Sequence, residues 1–180
     1  MATIVIAETI ATVGVDALKA AGHTIHELSG QPRESLVAAL SEADALIVRS
    51  QVKVDAALIA AGPKLRIIGR AGVGIDNIDA VAAERAGILV VNAPDGNTIA
   101  AAEHTFALLL ALARHVAKGD RSVRDGAWAR AELKGFELRG RRLGIVGLGR
   151  IGRAVAARAA AFGMVLLGAD PAVSPQDAAS

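Results

Sequence analysis

Short apolar runs alternate with longer segments of mixed polarity in the N-terminal half of the chain. Runs of Ile, Val, Leu and Ala that are too short for helices predict five β-strands, at 3–7, 25–28, 45–48, 65–69 and 88–91. The intervening segments predict four helices, at 13–21, 33–42, 55–61 and 78–86. Strands that alternate with helices and are apolar throughout indicate a parallel sheet with helices on both faces. Residues 1–94 are therefore predicted to form one five-stranded α/β domain.

A second pattern, at 142–170, consists of a strand, a glycine-rich turn, a helix and another strand. In a dinucleotide-binding turn the first glycine, here Gly147, allows a tight turn. The second, Gly149, lets the backbone approach a pyrophosphate, and the third, Gly152, lets helix and strand pack closely. Asp170 ends the second strand, where a carboxylate accepts hydrogen bonds from ribose hydroxyls and repels a 2′-phosphate. The pattern predicts NAD binding, and the alternative is an ordinary strand–helix–strand turn.

A turn-rich junction at 92–96 separates these two regions and leads into a long helix. Asn97 and Thr98 are predicted to cap this helix, which extends over 99–118 and has an apolar centre, FALLLALA. Because the centre is apolar on all sides, we expect it to be buried, both against the following sheet and in a subunit interface. The next segment, 120–139, is polar and is expected to be irregular and to wrap over a neighbouring element.

Two arginines follow strands at the edge of the sheet where ligands of parallel sheets gather. Arg49 and Ser50 come directly after the third strand, and Arg70 begins a glycine-rich loop, 70–77, after the fourth. The loop N–H groups can bind a carboxylate, and guanidinium groups can bind carboxylate or phosphate oxygens. The alternative is that the arginines form ordinary salt bridges and the glycines only turn the chain.

Composition limits the possible partners of this chain of 180 residues. It has no cysteine, which excludes thiolate chemistry and is typical of a cytoplasmic protein. Aromatic residues make up only 2%, so stacking platforms for nucleic acid are missing. No apolar run approaches the roughly 20 residues of a membrane span, the N-terminus lacks the pattern of a secretory signal, and no residue cluster has metal-ligand spacing. We therefore expect no membrane, nucleic acid or metal partner.

Charge is distributed unevenly along the chain. The formal net charge is only +2, but 114–158 contains twelve Lys or Arg residues against four Asp or Glu. A phosphate-bearing ligand would account for this excess. A basic helix face in contact with water would account for it equally well.

Four motifs together resemble the D-2-hydroxyacid dehydrogenase family. They are VRS at 48–50, RAGVGIDNID at 70–79, VVNAPDGNTIAAAEHTFALLLALAR at 90–114, and GLGRIGRAVAARAAAFGM through DP at 147–171. Within the family the resemblance is closest to the D-3-phosphoglycerate dehydrogenases of serine biosynthesis, which use NAD to oxidise 3-phosphoglycerate to 3-phosphohydroxypyruvate. The resemblance covers essentially the whole chain, and the motifs match in order and spacing.

The resemblance implies a flavodoxin-like parallel-sheet substrate domain at 1–94, followed by the first half of a Rossmann NAD-binding domain at 95–180. It places the active site in the cleft between the two domains. The small phosphorylated 2-hydroxy acid would be bound there. The family's dimers pair through the nucleotide domains, so the resemblance also implies a homodimer or higher oligomer through the 99–118 helix.

The resemblance further assigns roles to particular residues. The substrate-binding residues that it implies are Arg49, Ser50, Arg70, Gly72 and Arg130, the last reaching the phosphate of a neighbouring subunit's substrate. The cofactor-binding residues that it implies are Val73 beside the nicotinamide, Gly147, Gly149, Arg150, Ile151 and Gly152 at the pyrophosphate, and Asp170 at the adenosine ribose.

The family's catalytic residues are not assigned to this chain. In the family a histidine assisted by a glutamate removes the hydroxyl proton and an arginine holds the carboxylate, all beyond the second strand of the nucleotide domain. A two-stranded parallel sheet is not expected to be stable alone, and 171–180 is predicted to be a loop leading to another element. We therefore expect the natural reading frame to continue past Ser180 and the chain alone to be inactive.

Two other functions are compatible with the same residues. The first is a dehydrogenase of another 2-hydroxy acid, such as glycerate, glyoxylate or lactate. The second is a non-catalytic NAD-binding interaction module.

Overall fold

The structure is a computed structural model that describes residues 1–174 and Gln176. The chain divides into two compact units, Met1–Gly96 and Asn97–Ser180. We refer to them as unit 1 and unit 2.

Unit 1 is an α/β unit with a parallel sheet of five strands, as predicted. The strands are β1 (Thr3–Ile6), β2 (Thr24–Glu27), β3 (Ala45–Val48), β4 (Ile67–Arg70) and β5 (Leu89–Asn92), and the helices are α1 (Thr12–Ala20), α2 (Arg33–Leu40), α3 (Ala56–Ala60) and α4 (Ala80–Arg85). All four strand pairs are parallel, and the strand order is β2-β1-β3-β4-β5. The predicted elements are confirmed, with ends that differ by one or two residues.

The alternation of side chains along β1 explains why the sheet is covered on both faces. Ile4 and Ile6 point to one face and pack with Val15 of α1. Val5 points to the other face and belongs to the larger cluster, which contains Leu40 of α2. Burial on both faces requires the nearly continuous apolar strands that the sequence contains.

The strand order determines where a ligand can enter unit 1. From β1 the chain continues to β2, which lies on one side of β1. It then crosses to β3, which lies on the other side of β1. In sheets of this order the crevice opens at the carboxyl ends of β1 and β3. The loops that begin at Glu8 and Arg49 therefore lie where ligands of this fold class bind.

Unit 2 contains a two-stranded parallel sheet, three α-helices and one 3₁₀ helix among its described residues. Its elements are α5 (Thr98–Ala113), α6 (Val116–Arg124), a 3₁₀ helix (Arg130–Leu133), β6 (Arg142–Val146), α7 (Arg150–Ala161) and β7 (Val165–Ala169). The core of unit 2 forms where α5 packs against α7, with Phe106 and Val155 both buried. Phe106 also stacks on Phe162 at the end of α7, with ring centroids 5.3 Å apart.

The prediction of one helix over 99–118 is wrong. Helix α5 ends at Ala113, and α6 begins at Val116 after a bend of 62°. His115 between them has a left-handed backbone conformation, with φ of 53°. The segment contains no glycine or proline at the bend, so the usual signals of a helix end are missing. The carbonyl oxygen of Ala113 instead accepts a hydrogen bond from the N–H of Phe136, at 2.9 Å.

The prediction that 120–139 is irregular is also partly wrong, because α6 and the 3₁₀ helix occupy part of it. Helix α6 has no buried residue, so its residues look like a polar loop in sequence. Asn97 does precede α5, but its side chain makes no capping hydrogen bond in the described part of the chain. The predicted loop at 171–180 begins with a turn at Pro171, while Pro175 and 177–180 lie outside the described residues.

Helix α5 is only partly buried within the chain. Ala102, Phe106 and Ala113 are buried, whereas 59% of Leu108 and 70% of Leu112 are exposed. Among the described helices no single one is both long and apolar enough to cross a membrane; α5 and α6 meet the criteria of length and composition only as a bent pair.

Candidate functional site

The three glycines of the turn after β6 have three different structural roles. Gly147 has φ of +96°, a conformation that side chains rarely adopt, so it permits the tight turn. A Cβ on Gly149 would meet nothing within 4 Å, so the backbone there is open to a ligand. A Cβ on Gly152 would lie 2.0 Å from the carbonyl oxygen of Gly147, so the third glycine is required for close packing. These are the properties of a dinucleotide-binding turn.

Asp170, which follows β7, binds the backbone of this turn. Its Oδ2 accepts a hydrogen bond from the N–H of Leu148 at 2.7 Å, and its Oδ1 accepts one from Ala172 at 2.8 Å. The N–H groups of Ala172 and Leu148 hold the pKa of the Asp170 carboxyl below its ordinary value of 3.8, despite partial burial. The sequence interpretation missed this contact with the turn, and ribose binding by Asp170 stays a prediction.

Arg153 holds the same turn from the helix that follows it. Its Nε donates a hydrogen bond to the carbonyl oxygen of Leu148 at 2.9 Å. Leu148 is thus bound at its N–H by Asp170 and at its carbonyl by Arg153. Within the described residues no side chain caps the N-terminus of α7, which begins at Arg150 and Ile151. A helix N-terminus of this kind is suited to an anion.

In unit 1, Arg49 and Ser50 follow β3 and are exposed at the carboxyl edge of the sheet. The side chain of Arg70, at the end of β4, donates from Nε to the carbonyl oxygen of Arg49 at 3.2 Å. Neither arginine forms an ion pair within the described part of the chain. The salt-bridge alternative is therefore excluded for the described residues, and both guanidinium groups can bind an anionic ligand.

Gly72 provides the space into which the Arg70 side chain folds. A Cβ on Gly72 would lie 2.6 Å from Nη1 of Arg70 and 3.0 Å from its Cζ. A side chain at this position would push the guanidinium group away. The following residue, Val73, accepts a hydrogen bond at its carbonyl oxygen from the side-chain amide of Asn92. The observed position of the Arg70 guanidinium group therefore depends on a glycine at 72.

Asn77 connects the loops that follow β3 and β4. Its Nδ2 donates to the carbonyl oxygens of Arg49 at 3.0 Å and Val52 at 2.8 Å. The two loops also form a parallel β-bridge between Val54 and Ile78. The structure thus brings Arg49, Ser50, Arg70 and Gly72 together at one edge of unit 1, as the sequence interpretation requires.

Glu8 is a residue of this edge that the sequence interpretation missed. It follows β1, is only 8% exposed, and is the one buried charged residue among the described ones. Its carboxylate accepts hydrogen bonds from the N–H groups of Arg49, Gln51 and Val52, at 2.7, 2.9 and 3.2 Å. Burial acts to raise the pKa of the Glu8 carboxyl, but these backbone N–H groups lower it below the ordinary 4.5. The sequence signal that could have identified Glu8 as a site residue is its position directly after a buried strand.

A cavity of about 390 Å³ opens beside Arg49 at the ends of β1, β2 and β3. Its polar lining consists of Glu8, Thr9, Ser29, Gln31, Arg49 and Gln51. Hydroxyl, amide and guanidinium donors suit a small polar ligand.

Arg130 lies elsewhere, at the start of the 3₁₀ helix of unit 2. It is exposed and lines a small cavity of about 200 Å³ together with Val123 and Trp128. Nothing in the described chain connects it to the glycine turn. Its predicted contact with a neighbouring subunit's substrate stays a prediction.

Comparison with known proteins identifies related sequences over nearly the whole chain. The family described as D-isomer specific 2-hydroxyacid dehydrogenase, catalytic domain, matches residues 4–170. A D-3-phosphoglycerate dehydrogenase of Archaeoglobus fulgidus is 48% identical over 97% of this chain, and one of Rattus norvegicus is 49% identical over 91%. The chain spans 33% and 31% of the length of these two relatives.

Solved structures have the same fold. A protein of Thermus thermophilus is 36% identical, with a TM-score of 0.89 over 96% of this chain and 57% of its own. A 3-phosphoglycerate dehydrogenase of Entamoeba histolytica, solved with NAD⁺ bound, is 31% identical, with a TM-score of 0.75 over 98% of this chain and 56% of its own.

The roles of the glycines predict different effects of adding a methyl group. Gly152→Ala should lower the free energy of unfolding by about 1–3 kcal/mol, because the new Cβ overlaps the carbonyl of Gly147. Gly149→Ala, the matched control, enters open space and should change it by less than about 0.5 kcal/mol. Urea denaturation followed by circular dichroism measures both values. Equal effects of the two substitutions would contradict the assigned roles.

Proposed function

The chain belongs to the D-isomer specific 2-hydroxyacid dehydrogenase family, and on this basis we propose that it provides the NAD and substrate contacts of a D-3-phosphoglycerate dehydrogenase. The observation that carries the proposal is the pairing of a dinucleotide-binding turn in unit 2 with two arginines free of ion pairs in the described unit 1. The proposed reaction is the oxidation of 3-phosphoglycerate at C2.

The described residues of unit 2 fit NAD. The open backbone at Gly149 and the N-terminus of α7 at Arg150 and Ile151 would bind the pyrophosphate. Asp170 would accept hydrogen bonds from the adenosine ribose with lone pairs that its two backbone donors leave available. Its negative charge favours NAD over NADP. Bound NAD would supply the hydride acceptor.

The described residues of unit 1 fit an anionic substrate. Arg49 and Arg70 carry two positive charges at the same sheet edge, and the loop at Gly72 adds backbone donors. Such a set would bind the carboxylate or phosphate of 3-phosphoglycerate, and Val73 would lie at the nicotinamide end. Arg130 would reach the phosphate of a substrate bound to a second copy of the chain. These residues bind and orient the substrate, and no proton-transfer step is assigned to them.

The first test concerns Asp170 and the cofactor. Asp170→Asn should weaken NADH binding about tenfold, because the neutral amide binds the ribose hydroxyls less strongly. It should also reduce the preference for NADH over NADPH, since the charge that repels the 2′-phosphate is lost. Fluorescence titration with each nucleotide measures these effects. Asp125→Asn removes an exposed acid from the same unit and should change neither value; an unchanged nucleotide preference in Asp170→Asn would refute the assignment.

The second test concerns Arg49 and the substrate. Isothermal titration should show tighter binding of 3-phosphoglycerate than of D-glycerate, and Arg49→Gln should lower the affinity for 3-phosphoglycerate about tenfold. Arg66→Gln, an exposed arginine of the same unit, is the control. If the unsubstituted protein binds both compounds equally, a dehydrogenase of glycerate, glyoxylate or lactate becomes the better proposal.

We further propose that unit 2 pairs with a second copy through α5. Leu108 and Leu112 expose apolar surface on one side of this helix, 59% and 70% of each residue, while Phe106 is buried on the other. Apolar surface of this kind is typical of a subunit interface.

The pairing predicts a change of molecular mass. Leu112→Glu should shift the protein from dimer to monomer in light scattering coupled to size-exclusion chromatography, because it places a charge in the apolar contact. Val81→Glu replaces an apolar helix residue of unit 1 that is 57% exposed and should leave the mass unchanged. A dimer that survives Leu112→Glu would exclude α5 as the contact.

A further inference from the structure

We propose that Glu8 is a positioning residue, which holds the turn at 49–52 so that the Arg49 side chain is presented to the anionic substrate. This inference rests on the proposed function of Arg49. In the described part of the chain the hydrogen bonds of the Glu8 carboxylate all come from the backbone of the turn.

The first argument is the number of donors that meet at Glu8. Its Oε2 accepts from the N–H of Arg49 at 2.7 Å and Val52 at 3.2 Å, while Oε1 accepts from Gln51 at 2.9 Å. These donors come from neighbouring residues of one tight turn, and among the described residues none of them donates to a carbonyl group of the sheet. One carboxylate therefore accepts hydrogen bonds from three N–H groups of the turn that would otherwise be unpaired.

The second argument is that the carbonyl side of the same turn is bound too. Asn77 donates to the carbonyl oxygens of Arg49 and Val52, and Arg70 donates to that of Arg49. The turn is therefore fixed from both sides, by an acid on its N–H groups and by donors on its carbonyl groups. A backbone that is bound in this way fixes the Cα position of Arg49 and so limits where its guanidinium group can lie. A binding group that is already oriented strengthens substrate binding.

The third argument is that Glu8 follows a buried strand that is paired on both of its sides. It follows β1, which pairs with both β2 and β3, and the N–H of Ala7 donates to Ile47 at 2.9 Å. Val5 and Ile6 of β1 are 0% and 2% exposed. The backbone of Glu8 is therefore anchored by the strand that precedes it.

The chemistry requires a carboxylate. An ionised carboxylate only accepts hydrogen bonds, so both of its oxygens can face N–H groups. A glutamine in the same place would turn an NH₂ group toward at least one of these donors. The N–H dipoles also compensate the negative charge of Glu8, so an acid can line the same cavity as an arginine that binds anions.

The experiment compares Glu8→Gln and Glu8→Asp with the unsubstituted protein by amide hydrogen exchange and by ligand titration. In Glu8→Gln, protection of the Arg49, Gln51 and Val52 amides should fall at least tenfold, while that of Val5 and Leu46 in the core is retained. Affinity for 3-phosphoglycerate should fall about tenfold. Affinity for NADH should not change, because its proposed contacts lie in unit 2.

Glu8→Asp keeps the charge but withdraws it by one methylene group. Its amide protection at 49–52 and its affinity for 3-phosphoglycerate should therefore lie between those of Glu8→Gln and the unsubstituted protein. If Glu8→Gln does not fold, Glu8→Asp decides the test. The proposal is then overturned if Glu8→Asp has the same amide protection and the same affinity for 3-phosphoglycerate as the unsubstituted protein. Glu42→Gln is the matched control, because the Glu42 side chain is 72% exposed and lies in the same unit.

The outcomes separate this inference from the proposed function. If the unsubstituted protein does not bind 3-phosphoglycerate, the proposed function fails, and hydrogen exchange alone decides whether Glu8 holds the turn. If 3-phosphoglycerate binds and its affinity is unchanged within twofold in Glu8→Gln, Glu8 does not position Arg49. Unchanged protection of the 49–52 amides would overturn the proposal in either case.

Discussion

The parallel pairing of β1 with both β2 and β3 is the constraint on which the rest of unit 1 depends. It places the carboxyl ends of these strands side by side, so residues from distant parts of the sequence meet at one edge. Glu8 and Arg49 are 41 residues apart in sequence, yet a hydrogen bond of 2.7 Å joins them. Arg70 at the end of β4 and Asn77 in the loop that follows reach the same turn. The candidate substrate site is a consequence of strand order.

The same physical device occurs in each unit. An acid placed at the end of a strand accepts backbone N–H bonds from a nearby turn: Glu8 from the turn at 49–52, and Asp170 from Leu148 in the glycine turn. In both cases the backbone donors hold the pKa of the carboxyl below its ordinary value. Charge-assisted bonds of this kind order a loop without covering it. The turns therefore stay accessible to a ligand while their backbone is fixed.

Local patterns predicted much of the fold correctly. The five strands of unit 1 were found because each is an apolar run with its own flanking turn. The glycines at 147 and 152 were interpreted correctly as turn and packing positions, because their spacing between a strand and a helix is that of a dinucleotide-binding turn. The break at His115 was missed, since histidine adopts the left-handed conformation too rarely to predict the end of a helix by itself.

The amino-acid sequence by itself determined the elements of unit 1, the strand–turn–helix–strand pattern at 142–170, the parallel α/β class and the family to which the chain belongs, because periodicity, glycine spacing and motif order are properties of neighbouring residues. Only the tertiary structure decided what Glu8, Asn77 and Arg153 do. Their partners are backbone groups of turns, which have no residue identity that a sequence could reveal. The tertiary structure also decided that Arg49 and Arg70 make no ion pair among the described residues, because a salt bridge depends on which side chains folding brings within reach.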